Sequence, residues 1–178
     1  MAQKSRIWRF SGALRVIALV LAALYAFTFI ITWIGVFIGD TELIFFYIDI
    51  DSTAALEPWQ IALGVIFMAV HTGTFIFICL AANKFLKASK SEGFFIEETI
   101  TACRKVAYGL IAYWFGLLLI ENYLPPVLTS NFPEDERIEL IWFTIDYYGI
   151  LLVGFIMVLI AQALDEAREI DSDNKQFI

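Results

Sequence analysis

A run without a single charge, residues 16–38, constrains this chain more than any other feature. A bilayer core of about 30 Å is crossed by roughly 20 apolar residues in a helix. Inside it, every backbone N–H and C=O must be paired within the protein. Three more runs follow. Residues 61–82 are broken only by His71, and 106–120 is extended by Glu121, Asn122, Tyr123 and Leu124. The last, 140–164, is interrupted by Asp146 and Gln162. The strict apolar–polar alternation of a membrane barrel is missing. The expected fold class is therefore all-α, an integral membrane bundle of four transmembrane helices. Its spans are about 16–38, 61–82, 106–124 and 140–164, in a single membrane domain covering 1–178. A hydrophobic share of 60% agrees. Soluble domains hold about 45–50%, so a soluble enzyme and a disordered regulator are both excluded.

Lysine and arginine set the expected orientation. Lys4, Arg6, Arg9 and Arg15 precede the first span, while Lys84, Lys87, Lys90, Arg104 and Lys105 separate the second from the third. Arg168 and Lys175 follow the fourth, which leaves Arg137 alone on the other side. The positive-inside rule then places both termini in the cytoplasm of a bacterial inner membrane. The acids show the complementary bias. Asp40, Glu42, Asp49, Asp51 and Glu57 fall in the first outer loop, and Glu121, Glu134, Asp135, Glu136 and Glu139 in or beside the second. A net charge of −7 is thus an outer-face property, and no direct nucleic-acid binding is expected. The first apolar run is too long for a signal-peptide core and no small-residue cleavage site closes it, so it reads as a retained anchor.

Between the spans, residues 43–48 are apolar and aromatic, and are expected to dip into the interface or cover the bundle mouth. Pro125, Pro126 and Pro133 are expected to stop the third helix and keep its outer connection extended. Trp59, Trp142, Tyr147 and Tyr148 suit an outer aromatic belt, and Trp8 an inner one. In the cytoplasmic loop 83–105 the lysines can snorkel to the headgroups. An amphipathic helix is expected to start at Glu97 and run into the third span, its acids at the positive helix end. The tail 165–178 reads as a charged extension of the fourth helix, with a thin apolar stripe of Ala163, Ala167 and Ile170.

The stretch Gly93-Phe-Phe-Ile-Glu-Glu-Thr-Ile100, then Cys103-Arg-Lys-Val-Ala-Tyr-Gly109, resembles the loop and amphipathic helix before the third span of the YoaS-like bacterial four-span membrane proteins, a family of unknown function. The ending Leu159-Ile-Ala-Gln-Ala-Leu-Asp-Glu-Ala-Arg-Glu-Ile170 resembles the same family. Its members are commonly encoded beside a small helix-turn-helix regulator, and the resemblance implies such a regulator as partner. It supplies no catalytic residues. Where the family has Thr or Ser after the Phe, this chain has Ile96. An apolar residue cannot accept the orphan backbone N–H groups, so Thr99 or a glutamate is expected to cap the helix instead.

His71, near the middle of the second span, is the one candidate cofactor ligand, since an intramembrane ionisable residue is a functional-site hypothesis by default. A tetrapyrrole is the cofactor it could ligate, although a single histidine excludes an intrachain bis-histidine haem. The plainer reading is a neutral histidine hydrogen-bonded to a neighbouring helix. Asp146 is expected to face outer-leaflet water or pair with Arg137 or a tyrosine, too far from His71 for a direct pair. Asp49 and Asp51 read as a solvated acidic loop. No metal site is expected, and Cys79 and Cys103 belong to no extracytoplasmic disulfide framework. Gly35 with Gly39, Ala69 with Gly73, and Gly109 with Gly116 offer small residues for close helix packing.

The resulting expectation is a non-enzymatic, regulatory or interaction protein in contact with membrane lipid. It would hold a soluble partner through Lys84, Lys87, Lys90, Arg104 and Lys105. The alternative is an accessory subunit of a larger membrane complex, near a pigment or haem.

Overall fold

The computed structural model describes residues 2–40, 42, 44, 56–91, 93–134, 137–138 and 147–176. Helix α1 is Ala2–Phe37, α2 is Pro58–Ser91 and α3 is Glu97–Leu118. A π-helical turn at Leu119–Tyr123 leads into the short α4, Leu124–Leu128, and α5 is Tyr148–Gln176. No strand occurs among the described residues. Four helical stretches are long and apolar enough to cross a membrane: Ser11–Phe37, Pro58–Ser91, Glu97–Leu128 and Tyr148–Asp173. The chain thus has the build of a multi-pass, all-α membrane bundle. Residues 45–55 and 139–146 lie outside the described residues, and with them Asp49, Asp51, Trp142 and Asp146.

Extensive helix contacts follow chain order: α1 on α2, α2 on α3, and α3 on α5. No comparable contact joins α1 to α5 among the described residues. The two inner helices are consequently the more buried, while Val16, Val20, Leu24, Ile31 and Ile34 on α1 and Leu152 and Leu159 on α5 are exposed. Apolar surface of this kind is at ease only against lipid or another protein.

Small residues decide where the helices approach. A Cβ on Gly109 would stand 2.7 Å from Ile78 Cγ1, and one on Gly154 2.9 Å from Ile111 Cγ1. A Cβ on Gly64 would meet the Trp33 ring at 2.7 Å. Along α5, Gly154 and fully buried Ala161 share one face at heptad spacing. Ala163 and Ile170 are exposed, so the thin stripe expected there is not the packed one.

The end of the molecule bearing Asp40 and Glu57 is closed by a buried cluster of Trp33, Val36, Ile44, Met68, Ile120, Leu124, Leu128 and Phe132. The expectation that Pro125 and Pro126 stop the third helix is corrected here. They lie inside α4, which continues α3 after the wide turn. Prolines lack the N–H groups that would bond the carbonyls one turn back, and the π turn accommodates that loss. In the first turn of α4 those N–H groups would be orphans anyway.

Gln60, fully buried, ties this end together. Its Nε2 donates to the carbonyls of Val127 (3.0 Å) and Leu128 (3.2 Å) and to Ser130 Oγ (3.0 Å). Its Oε1 accepts from the Glu57 N–H at 2.7 Å and from Asn131 Nδ2 at 3.2 Å. Thr129 adds a second tie, donating to the Pro125 carbonyl and accepting from the Ile138 N–H.

At the opposite, basic end, Arg15 Nε donates to Asn83 Oδ1 at 2.8 Å and Ser11 Oγ to the Leu86 carbonyl at 3.2 Å. Gly93, at φ +106°, turns the chain back between α2 and α3, and Phe94 folds towards Phe85. Thr99 does not cap α3 as expected. Its hydroxyl donates to the Gly93 carbonyl at 2.9 Å, closing the turn, and Ile96 makes no side-chain cap.

Candidate functional site

Two places bring chemistry-bearing side chains together. The first lies at mid-span. His71 sits about 20 Å along α2 from Pro58 at 1.5 Å per residue, and is only 3% exposed. Its ring stacks on Tyr113 of α3, with centroids 4.9 Å apart and an interplanar angle of 24°. On the other side, Tyr25 of α1 lies 6.1 Å from His71 and stacks on Phe75 at 3.9 Å. Tyr113 and Phe75 complete the group at 5.6 Å. One helical turn separates His71 from Phe75, so both rings point the same way from α2.

An isolated histidine in an apolar run is expected to be hydrogen-bonded to a neighbouring helix. The imidazole is packed by rings instead, and its buried Nε2 has no hydrogen-bond partner among the described residues. Trp33 Nε1 shares that condition. No group of three or more histidine, cysteine or acidic side chains able to hold a metal occurs among the described residues. Cys79 and Cys103 are free and buried. Beside the ring group, a cavity of about 210 Å³ between α1 and α2 is lined by Tyr25, Thr28, Phe29, Met68 and Thr72. Tyr25 and Thr72 are polar residues that the sequence reading did not single out. Both sit inside apolar runs, where only the neighbouring helix gives them a site.

The second place is a cleft of about 440 Å³ at the basic end, lined by Lys84, Glu97, Glu98, Thr101, Ala102 and Lys105. It forms because Gly93 folds the start of α3 against the end of α2. Two of the five basic residues proposed for partner binding therefore share one cleft, Lys84 and Lys105, and both are exposed. Lys87 is exposed and Lys90 half-buried outside the cleft lining. Arg104 is engaged within the chain: its Nη2 is 2.9 Å from Asp165 Oδ2, joining α3 to α5. Arg168 extends the network to Asp165 and Glu97, each at 3.3 Å. Phe94 and Phe95 stand exposed in the turn that leads into the cleft.

The proposed small-residue pairs separate in the structure. Gly109 and Gly116 both lie at close approaches between α2 and α3. Gly35 is buried, but Gly39 is a turn residue at φ +90° with open space around it. The Asp40 N–H bonds the Gly35 carbonyl and the Gly39 N–H that of Val36, so Gly39 terminates α1 in a Schellman motif. Ala69 and Gly73 are exposed, and a Cβ at Gly73 would meet nothing, so this pair packs against no described helix. Gly64 and Gly154, which lack a partner at four-residue spacing, make close contacts instead.

Fold and sites together define a four-span membrane protein with a ring-lined cavity between α1 and α2 and a charged cleft at its basic end. No family model matches the chain, nor does any curated protein or solved structure.

Proposed function

We infer that this chain is a non-enzymatic interaction protein of a bacterial inner membrane, holding a soluble protein at the cytoplasmic surface with its basic end. The observation that carries this reading is the cleft between α2 and α3, where Lys84 and Lys105 stand exposed beside Glu97 and Glu98. A cleft bearing both signs of charge favours a partner with a complementary pattern over a uniformly charged surface. Exposed Phe94 and Phe95 next to it supply apolar area of the kind that anchors protein interfaces. The resemblance to the YoaS-like group supports a small helix-turn-helix regulator as that partner, held at the membrane and released by a signal. The positive-inside bias supports placing this end, and both termini, in the cytoplasm.

The reading is tested with the full-length protein in membranes and a co-expressed helix-turn-helix regulator. Lys84→Glu with Lys105→Glu abolishes recovery of the regulator with the membrane protein, while Gly73→Ala leaves recovery unchanged. Equal recovery with the charge-reversed variant overturns the reading. A second reading, an accessory subunit packed in a larger membrane complex, draws on the outer helices α1 and α5, each of which leaves a long apolar face exposed. Stoichiometric integral partners in mild detergent, unaffected by the charge reversal, favour it.

A further inference from the structure

The cavity beside the ring group lies at mid-span depth, so anything filling it arrives dissolved in the bilayer. Its walls are of two kinds. Tyr25 and Phe29 present aromatic surface and Met68 a polarizable thioether. Tyr25 and Thr72 also bring hydroxyls, and neither hydroxyl is engaged by another described residue. The Thr28 hydroxyl is already bonded to the Leu24 carbonyl at 2.9 Å. His71, adjacent to Thr72 in the chain, does not line the cavity. Polar groups in an apolar interior are normally paired, and two unengaged hydroxyls on the wall of one cavity suit a ligand with hydrogen-bond acceptors.

Size and shape narrow the class. About 210 Å³ admits one substituted six-membered ring, and is too small for a tetrapyrrole or a sterol nucleus. An acyl chain would fit but carries nothing to pair with the hydroxyls. A flat ring with carbonyl oxygens on opposite edges meets both demands, and Thr28, on the exposed side of α1, leaves a route for a tail into lipid. We propose that this cavity binds the ring of an isoprenoid quinone, its carbonyl oxygens accepting hydrogen bonds from the Tyr25 and Thr72 hydroxyls. The ring lies beside the aromatic wall and the tail runs out past Thr28. This site is independent of the basic cleft and stands or falls apart from it.

The test uses the full-length protein in lipid nanodiscs, titrated with decylubiquinone and, in parallel, with decylbenzene, which has a ring and tail but no oxygens. Decylubiquinone raises the unfolding midpoint in a saturable manner and decylbenzene does not. Thr72→Val, nearly isosteric, raises the half-saturating concentration about fivefold, the worth of one hydrogen bond. Tyr25→Phe, which keeps the stacked ring, does the same. The proposal is overturned if decylubiquinone leaves the midpoint unchanged, or if decylbenzene stabilises equally. It also fails if both variants, folded by circular dichroism, keep the wild-type half-saturation.

Discussion

Gly116 of α3 lies directly against His71 of α2: a Cβ built on the glycine would stand 3.0 Å from the His71 Cα. The two backbones cross here with no side chain between them, and that crossing holds the imidazole against Tyr113. A backbone atom cannot rotate away as a side chain can. Gly116→Ala is therefore expected to destabilise by about 1–3 kcal/mol through overpacking, despite alanine's better helix propensity. Gly73→Ala, facing open space on the same helix as His71, is expected to be neutral or stabilising by up to about 1 kcal/mol. Thermal unfolding in detergent separates the two, and equal midpoints would remove the close crossing from the account.

Gln60 is the second test. Its amide makes five hydrogen bonds, four of which join the start of α2 to α4 and to the residues just after it. Gln60→Leu keeps the volume but strands the groups it serves, at a cost of about 2 kcal/mol. Faster proteolysis after α4 is the accompanying sign. Gln60→Glu, which keeps the acceptor and loses the donor, should lose most of the same stability.

The Arg104–Asp165 pair holds α3 to α5 at the basic end, but its side chains are 39% and 31% exposed. Screening by solvent keeps such a pair weak, so a double-mutant cycle with Arg104→Ala and Asp165→Ala is expected to give a coupling of only about 0.5 kcal/mol. That coupling should shrink further in 1 M salt. Coupling that persists in high salt would mean the pair is shielded from water in the membrane.

Gly93 supplies the turn that forms the basic cleft. At φ +106° an alanine is strained although nothing crowds its Cβ, so Gly93→Ala should cost about 1 kcal/mol through the backbone alone. Thr99→Val removes the hydroxyl that binds the Gly93 carbonyl and should loosen the same turn, read as faster amide exchange at residues 97–100. Unchanged exchange in both variants would show that packing of Phe94 on Phe85, not the turn chemistry, positions the loop.

Much of this architecture was legible without coordinates, because burial in a bilayer imposes a length and a polarity on every span. Four uncharged or nearly uncharged runs had to be helices, since no other segment satisfies its own backbone in lipid. The helical start at Glu97 was visible for a local reason, its acids at the positive helix end ahead of an amphipathic spacing. Pro125 and Pro126 were misjudged because local rules treat a proline pair as a stop. Whether it stops a helix or opens the next turn depends on what packs against that turn, here Gln60 and the cluster around Leu124.

The sites needed partners that no spacing reveals. His71 announced itself as an ionisable residue in an apolar run, but its company of Tyr25, Phe75 and Tyr113 comes from three helices. Tyr25 and Thr72 look like ordinary membrane residues until the packing of α1 on α2 leaves a cavity between them. The glycines make the same point. Ala69 and Gly73 have the spacing of a packing motif and face outward, whereas Gly64 and Gly154 lack it and lie under Trp33 and Ile111. Hydrophobicity along the chain decides which segments enter the membrane, and it is a sum over residues. Which face of each helix turns inward is a matter of shape between helices, since lipid and a neighbouring helix are equally apolar and only fit distinguishes them.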